Sequence, residues 1–258
     1  MNTYQNLLVS IEASIASITI NREAKLNALN AQTIQELQEA LTDALENTEV
    51  RGIILTGAGE KAFVAGADIK EFVGLTQEQA VELATRVQTE LMDRIATSHK
   101  PIVAAINGFA LGGGLELAMA CQLRIAAEHA KVGLPETSLG IIPAYGGTQR
   151  LTHLVGQGRA LEIILTGDML NAARAYEIGL VNAVVPMEQL KTAAEALLRK
   201  IFRRSPFAIA AAIEAVNASL EASSGGYQAE IAAFGRCAAG PEFVEGVQAF
   251  LEKRPANF

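Results

Sequence analysis

A repeated order of buried strand, glycine turn and amphipathic helix constrains the fold of this chain most. Apolar runs at residues 51–56 and 101–106 have the length of buried strands, and glycines follow both of them closely. Helical patterns lie around these runs, at residues 30–47, 76–95 and 115–120. Because parallel strands need crossover connections of this kind, the pattern predicts an α/β fold.

Capping residues locate the two long helices. Asn30 is a candidate N-cap, and the residues behind it form an apolar stripe at helical spacing. Thr76 and Gln79 have the spacing of a capping box. The first 20 residues predict strands, because apolar residues alternate there with polar or small ones, and residues 122–126 predict another.

From about Met187 onward the pattern is helical only. The candidate helices cover residues 188–201, 206–220, 226–237 and 243–252. Alanine is dense in this segment. Such helices pack either against the core of their own chain or against another subunit.

Composition and charge narrow the class of protein. Half of the 258 residues are hydrophobic and 19% are charged, which excludes disorder and predicts a well-buried core. The net charge of −7 argues against nucleic-acid binding, which usually needs a basic face, but permits a phosphate-bearing small ligand. Cys121 and Cys237 form no CxxC pair and indicate reduced thiols. The sequence shows no recognisable signal peptide and no run of roughly 20 apolar residues. We therefore expect a cytoplasmic protein that binds no membrane.

Three segments stand outside the core pattern and could carry chemistry. They are residues 62–71 (AFVAGADIKE), 107–116 (NGFALGGGLE) and 134–150 (LPETSLGIIPAYGGTQR). Small residues in the first would let the backbone approach a ligand, although a tight turn capped by Asp68 explains them equally well. The second places bare N–H groups at a helix start, where they can bind an anion or a developing oxyanion. Alternatively it is a turn required for packing, with Glu116 suited to the positive helix terminus.

Glu136, in the third segment, is a candidate catalytic residue only if a second carboxylate faces the same cavity. An acidic residue after proline is common at turns and helix starts. Two carboxylates that face one cavity can hold different protonation states, so that one serves as base and the other as acid. His99, His129 and His153 have no metal-ligand spacing, and neither an HExxH nor a GxSxG motif occurs.

Together the three segments resemble the enoyl-CoA hydratase (crotonase) family. The strongest similarity covers residues 62–71, 100–120 and 134–151, and weaker similarity covers residues 21–29, 165–186 and 245–254. The matches run through essentially the whole chain in the order of the family. They are specific for the superfamily, whose members use one scaffold for several acyl-CoA reactions.

This resemblance implies a spiral of repeated ββα units followed by helices that build trimers, commonly paired into hexamers. It divides the chain into a catalytic core at residues 1–187 and a helical oligomerisation region at residues 188–258. It also implies an acyl-CoA substrate whose thioester oxygen lies between the N–H groups of Ala67 and Gly113. No metal or redox cofactor is implied, because the thioester and the oxyanion hole supply the electron sink, and coenzyme A is part of the substrate.

By motif position, Glu116 and Glu136 match the two catalytic glutamates of the hydratases. The implied reaction is reversible syn addition of water to a trans-2-enoyl-CoA, which gives 3-hydroxyacyl-CoA. Glu116 would act as base toward the water that attacks Cβ, and Glu136 would deliver a proton to Cα, although a coupled pair need not have fixed roles. The further substrate contacts implied by the resemblance are Ala24, Lys25, Leu26, Ala65, Gly66, Asp68, Ile69, Gly112, Pro135, Pro143 and Ala144.

The sequence also departs from the family pattern. Ala144-Tyr145 stands where many hydratases have Gly-Ala beside the acyl pocket, so the acyl-chain preference stays open. Ala13-Ser14 replaces a turn that often contains glycine. Two alternatives are an enoyl-CoA isomerase or other acyl-CoA lyase of the family, and a non-catalytic member that binds acyl-CoA or RNA. The glutamate pair disfavours the isomerase, since related isomerases generally keep one catalytic Glu, and the acidic charge disfavours RNA binding.

Overall fold

A computed structural model describes residues 4–218, 225–254 and 256. The strands are β1 (Leu7–Glu12), β2 (Ile15–Ile20), β3 (Gly52–Gly57), β4 (Ala62–Val64), β5 (Ile102–Ile106), β6 (Phe109–Leu111), β7 (Leu123–Ala127), β8 (Lys131–Gly133), β9 (Leu170–Asn171) and β10 (Ala183–Val185). The helices are α1 (Ala31–Glu46), α2 (Gln77–Val87), α3 (Asp93–Ala96), α4 (Gly113–Ala120), α5 (Gly147–Val155), α6 (Gln157–Thr166), α7 (Ala172–Glu177), α8 (Leu190–Ile201), α9 (Pro206–Ala218), α10 (Gly225–Ala238) and α11 (Pro241–Glu252). Short 3-10 turns cover Glu23–Lys25, Ile69–Glu71, Pro135–Leu139 and Met187–Gln189.

Two sheets share the strands in a repeating way. The larger sheet has the order β1-β2-β3-β5-β7-β10, and all of its pairs are parallel except the β1–β2 hairpin. The smaller sheet has the order β4-β6-β8-β9, with β4, β6 and β8 parallel. From β3 to β8, consecutive strands alternate between the two sheets. In the pairs β3–β4, β5–β6 and β7–β8, the first strand belongs to the larger sheet and the second strand to the smaller one. This confirms the expected α/β fold of repeated ββα units.

Local signals locate the predicted helices correctly. Asn30 caps α1 by accepting a hydrogen bond from the Thr33 N–H at 3.0 Å. Thr76 and Gln79 form the capping box of α2. The predicted helix to residue 95 is interrupted by a π turn at Gln88–Met92, which separates α2 from α3. In the β1–β2 turn, Ala13 and Ser14 adopt φ values of 48° and 63°, a region that glycine enters more readily.

The strands of the larger sheet bury both faces. Ile53 and Leu55 point into the main core, whereas Ile54 between them packs against α8 on the other face. Alternation of this kind follows from the two-residue period of a strand. Continuous apolar runs are therefore needed, and the runs at residues 51–56 and 101–106 supply them.

The four helices of the C-terminal region are present. Helix α10 packs against α2, and helix α11 packs against the turn Pro135–Leu139, so this part of the tail folds back on the core. Helix α8 begins at Leu190, after a 3-10 turn. The predicted end of the next helix at residue 220 lies outside the described residues. Within those residues, no helix combines the length and the apolar character that crossing a membrane requires.

Candidate active site

Two backbone segments meet where β4 and β6 end. The strands pair in parallel, so the chain leaving β4 toward Ala67 runs beside the chain that enters α4 at Gly113. A methyl group placed on Gly113 would lie 3.5 Å from the Ala67 nitrogen. Leu29 pairs with Ala67 in a parallel β-bridge. Its N–H donates to the Gly66 carbonyl, and its carbonyl accepts a hydrogen bond from the Asp68 N–H. The bridge therefore does not use the Ala67 N–H. The structure thus brings together the two residues expected to form an oxyanion hole.

Glycines around α4 allow this close approach. Gly112 has a φ of 51°, and a methyl group on it would lie 2.8 Å from Oε1 of Glu136. A methyl group on Gly114 would collide with the carbonyl oxygen of Val64. The run of three glycines therefore turns the chain sharply into α4 and lets this helix lie directly on β4.

Glu116 lies in the first turn of α4 and is only 2% exposed. Its Oε1 accepts hydrogen bonds from the N–H groups of Tyr145 and Gly147, both at 2.8 Å. Gly147 is the first residue of α5, so the carboxylate lies at the positive end of that helix. Amide donors and a helix N-terminus both stabilise a charged carboxylate.

Glu136 reaches the same place from the 3-10 turn Pro135–Leu139. Its Oε1 lies over Gly112, and its Oε2 is shielded from solvent. Glu116 and Glu136 line one cavity of about 210 Å³. The predicted site residues that also line this cavity are Ala65, Gly66, Ala67, Ile69, Gly112, Gly113, Pro135 and Ala144.

Aromatic side chains close the apolar part of the cavity. Phe72 and Phe234 meet edge to face with ring centroids 5.7 Å apart. Tyr145 is 3% exposed, and a methyl group on Gly113 would lie 3.5 Å from its ring carbons Cδ2 and Cε2. Burial raises the pKa of the Tyr145 phenol above its ordinary value of 10.0, and the negative charge of Glu116 adds to this effect. The tyrosine therefore lines the cavity as a neutral ring.

Most of the remaining predicted contacts lie at one edge of the site, whereas Pro143 lies beside Gly147. The Ala65 N–H donates to the Leu26 carbonyl at 3.1 Å, which holds the segment of Ala24, Lys25 and Leu26 beside the start of the oxyanion-hole loop. Asp68 forms an ion pair with Arg22 at 3.7 Å. The predicted residues outside the cavity lining are Ala24, Lys25, Leu26, Asp68 and Pro143.

Sequence reasoning missed the contributions of several aromatic side chains, among them Phe72, Phe234 and Tyr145. Phe72 and Phe234 belong to no predicted motif, and α10 brings Phe234 to the site from far along the chain. Tyr145 was signalled only as a departure from the family pattern. Among the residues that the structure describes, no group of three His, Cys, Asp or Glu side chains could hold a metal ion.

Comparisons with known proteins agree with this geometry. The family model described as Enoyl-CoA hydratase/isomerase matches residues 10–258. The chain belongs to this family.

Curated relatives match over nearly the whole chain. A crotonyl-CoA hydratase of Syntrophomonas wolfei is 43% identical over 256 residues, which cover 99% of this chain and 98% of the relative. A short-chain-enoyl-CoA hydratase of Clostridium acetobutylicum is 40% identical over 250 residues, which cover 96% and 95% of the two chains.

Solved structures share the fold over the same extent. An enoyl-CoA hydratase from Bacillus anthracis superimposes with a TM-score of 0.79 at 43% identity, covering 98% of this chain and 99% of that one. An enoyl-CoA hydratase from Mycobacterium avium subsp. paratuberculosis gives a TM-score of 0.88 at 30% identity and covers 99% of both chains. The resemblance inferred from sequence is confirmed, and the named relatives support enoyl-CoA hydratase activity.

Proposed function

We propose that this chain catalyses the reversible syn hydration of trans-2-enoyl-CoA thioesters to 3-hydroxyacyl-CoA. One observation carries the proposal: two glutamates and two backbone amides from three separate segments line a single cavity. Glu116 and Glu136 supply the acid–base pair, and Ala67 and Gly113 supply the amides. Curated relatives named as hydratases support the same reaction.

The two amides would bind the thioester carbonyl oxygen. When water adds to Cβ, electrons from the double bond move toward the thioester and negative charge develops on this oxygen. Backbone N–H groups of Ala67 and Gly113 are held rigidly by the β4–β6 pairing and by the start of α4, so they need little reorganisation as the charge appears. The thioester and the oxyanion hole together supply the electron sink, so the reaction needs no cofactor beyond the CoA of the substrate.

Glu116 is the proposed base. Its carboxylate is held at Oε1 by the Tyr145 and Gly147 amides, which fixes its orientation and stabilises its charge. It would take a proton from the water that attacks Cβ. Glu136, held on a different turn of the chain, would then deliver a proton to Cα from the same face, which accounts for syn addition.

Coenzyme A is proposed to bind at the edge of the site that residues 24–26 and 65–69 form. Lys25 ends the exposed 3-10 turn beside the oxyanion-hole loop, where its ammonium group could meet a phosphate. Ala24 and Leu26 flank it, and Asp68 lies on the adjoining loop. This placement supports CoA binding along residues 24–26 and 65–69.

A homotrimer, or a hexamer of two trimers, is the proposed assembly. Helix α9 has the apolar sequence PFAIAAAIEAVNA, yet most of its residues are exposed in the single chain. Phe207 and Val216 are 84% and 66% exposed. A second copy of the chain that covered this face would remove a large apolar area from water. The division at residue 187 and the cytoplasmic location stay predictions.

Hydration of crotonyl-CoA tests the proposed reaction. Conversion removes the conjugated thioester, so loss of its ultraviolet absorbance reports the rate. We expect Glu116→Gln and Glu136→Gln each to lower kcat by at least about 100-fold, the usual contribution of a general acid or base. Rates within about tenfold of the unsubstituted enzyme, or about 1.4 kcal/mol of barrier, would contradict the two-glutamate mechanism.

An enoyl-CoA isomerase is distinguished by its substrate. Parallel assays with 2-enoyl-CoA and 3-enoyl-CoA compare hydration with double-bond migration. We expect faster turnover of the 2-enoyl thioester, because both glutamate positions are filled. Binding of crotonyl-CoA without any turnover would instead favour a non-catalytic acyl-CoA-binding protein.

A further inference from the structure

We propose that Arg150 and Asp93 are positioning residues that hold the backbone donors to Glu116 in place. This inference rests on the proposed hydratase function and extends the site to residues that contact no substrate. Arg150 is the last residue of the GGTQR sequence, and neither the oxyanion hole nor the acid–base pair uses it. It is only 6% exposed, which is uncommon for an arginine.

Arg150 joins the active-site turn to helix α3. Its Nη1 donates to the backbone carbonyl of Tyr145 at 2.9 Å, and its Nη2 donates to Oδ1 of Asp93 at 3.0 Å. A planar guanidinium that makes both bonds at once holds its two partners in a defined geometry. The Tyr145 carbonyl is thereby tied to a side chain from a separate helix.

The carbonyl held by Arg150 belongs to the peptide between the two donors to Glu116. The Tyr145 N–H precedes this peptide and the Gly147 N–H follows it, and both donate to Glu116 at 2.8 Å. Gly146, in the middle, has a φ of 89°, and a methyl group on it would collide with Nη1 of Arg150. The guanidinium therefore packs directly against the turn that holds the proposed base.

Asp93 is itself held by an unusual helix geometry. The π turn places the Asp93 N–H on the Gln88 carbonyl, and the Gln88 side chain donates from Nε2 to Asp93 Oδ1 at 2.6 Å. Burial raises the pKa of Asp93, and the Arg150 charge opposes that effect. Inserted π turns frequently occur at functional sites, and here the insertion aligns two side chains that a regular α-helix would separate.

The geometry predicts a specific kinetic consequence. Without the guanidinium, the Tyr145 carbonyl loses its tether and the two amide donors shift relative to Glu116. Catalytic groups displaced by about 1 Å can cost about 100-fold in rate. Of the substrate contacts, only Ala144 and Tyr145 lie on this turn, beside the acyl part of the cavity, whereas the proposed CoA contacts lie on residues 24–26 and 65–69. With the small acyl group of crotonyl-CoA, KM should therefore be affected much less than kcat.

The position of Arg150 also permits a chemical rescue. Its side chain lines a second cavity of about 430 Å³, bounded by α9 and separate from the proposed active site. In Arg150→Ala this cavity would extend to the Tyr145 carbonyl and to Asp93. A guanidinium ion from solution could then replace the missing group.

The test compares kcat and KM for crotonyl-CoA together with the melting temperature. We expect Arg150→Ala to lower kcat by about 100-fold with KM changed by less than about threefold, and we expect tens of millimolar guanidinium chloride to restore part of kcat. Sodium chloride at the same concentration is the control for ionic strength. Glu177→Gln, which breaks the exposed Arg174–Glu177 ion pair, is the control for loss of a surface charge pair.

Two results would overturn the proposal. One is a kcat for folded Arg150→Ala within about threefold of the original, and the other is a loss of kcat that guanidinium does not reverse. If Arg150→Ala does not fold, Asp93→Asn decides, with a kcat lowered by about tenfold or more at nearly unchanged KM as the supporting result. An unsubstituted enzyme that hydrates no enoyl-CoA would refute the proposed function instead, which keeps the two failures distinct.

Discussion

The ring of Tyr145 lies beside Gly113, whose amide is half of the proposed oxyanion hole. A methyl group on Gly113 would lie 3.5 Å from two carbons of that ring and 3.5 Å from the Ala67 nitrogen. The space between the ring and the opposite amide is therefore about one methyl group wide at this point. Because the cavity volume of about 210 Å³ is below the roughly 300–1,000 Å³ of pockets for drug-sized ligands, we expect a short acyl chain to fit best.

Truncation of Tyr145 should widen the acyl preference. In Tyr145→Ala, the lost ring leaves space for more methylene groups, each worth about 0.8 kcal/mol when buried. We expect the ratio of kcat/KM for octenoyl-CoA to that for crotonyl-CoA to rise by about tenfold or more. Tyr145→Phe is the matched control, since it keeps the ring and removes only the hydroxyl. Both variants keep the backbone N–H that donates to Glu116.

A panel of straight and branched enoyl-CoA thioesters from C4 to C16 measures this ratio. An unchanged ratio in Tyr145→Ala would show that another part of the cavity limits the acyl chain. A ratio that changed equally in Tyr145→Phe would assign the effect to the hydroxyl group rather than to ring volume.

Gly113→Ala should impair catalysis without unfolding the protein. The added methyl group would occupy the space beside the Ala67 nitrogen, and its neighbours at 3.5 Å are at ordinary van der Waals distance. We expect kcat to fall by about 100- to 1,000-fold, as when one oxyanion donor is lost, with a melting temperature close to the original. Gly158→Ala is the control, because its added methyl group would project into open space. Full activity of Gly113→Ala would place the oxyanion hole elsewhere.

Cys121 should make stability depend on alkaline pH. Burial raises the pKa of this thiol from 9.0 to about 12 in the folded protein. The contribution of this thiol to the free energy of unfolding is therefore complete below pH 9. It is lost as the pH rises toward the pKa of the folded state, because only the unfolded chain then releases the proton. The difference in free energy of unfolding between the original protein and Cys121→Ala should fall by about 1.4 kcal/mol per pH unit.

Denaturant titrations of both proteins from pH 8 to about pH 11 measure this difference. The comparison cancels other groups that titrate in the same range, including Lys100, whose pKa is lowered by burial. A difference that stays constant with pH would contradict the predicted thiol shift.

Helix α9 provides a test of the proposed assembly. Phe207 is 84% exposed in the single chain, and a carboxylate there would oppose burial against a second copy. We expect the original protein to have the mass of three or six chains in light scattering, and Phe207→Glu to shift toward the single chain. Leu165→Glu, at another exposed apolar position, is the control. A monomeric original protein would contradict the proposal.

Local chemistry explains which parts of the fold could be predicted. Asn30 and Thr76 mark helix starts because a capping side chain bonds to an amide only three residues away. The strands β4, β6 and β8 have three residues each, too few to show a two-residue period, and only the resemblance implied a ββα repeat. Helix α5 was also missed, since Gly146 at its start offers no capping side chain.

The sequence by itself determined the chemistry of the proposed site. The glycine run, the two glutamates and their order along the chain indicated the family, because backbone access and carboxylate pairs are properties of residue type and spacing. Only the tertiary structure decided which other residues serve that site. Arg150 reaches Asp93 across 57 positions, and Phe234 meets Phe72 from a C-terminal helix. Contacts of this range depend on how buried surfaces pack, and no local pattern encodes that packing.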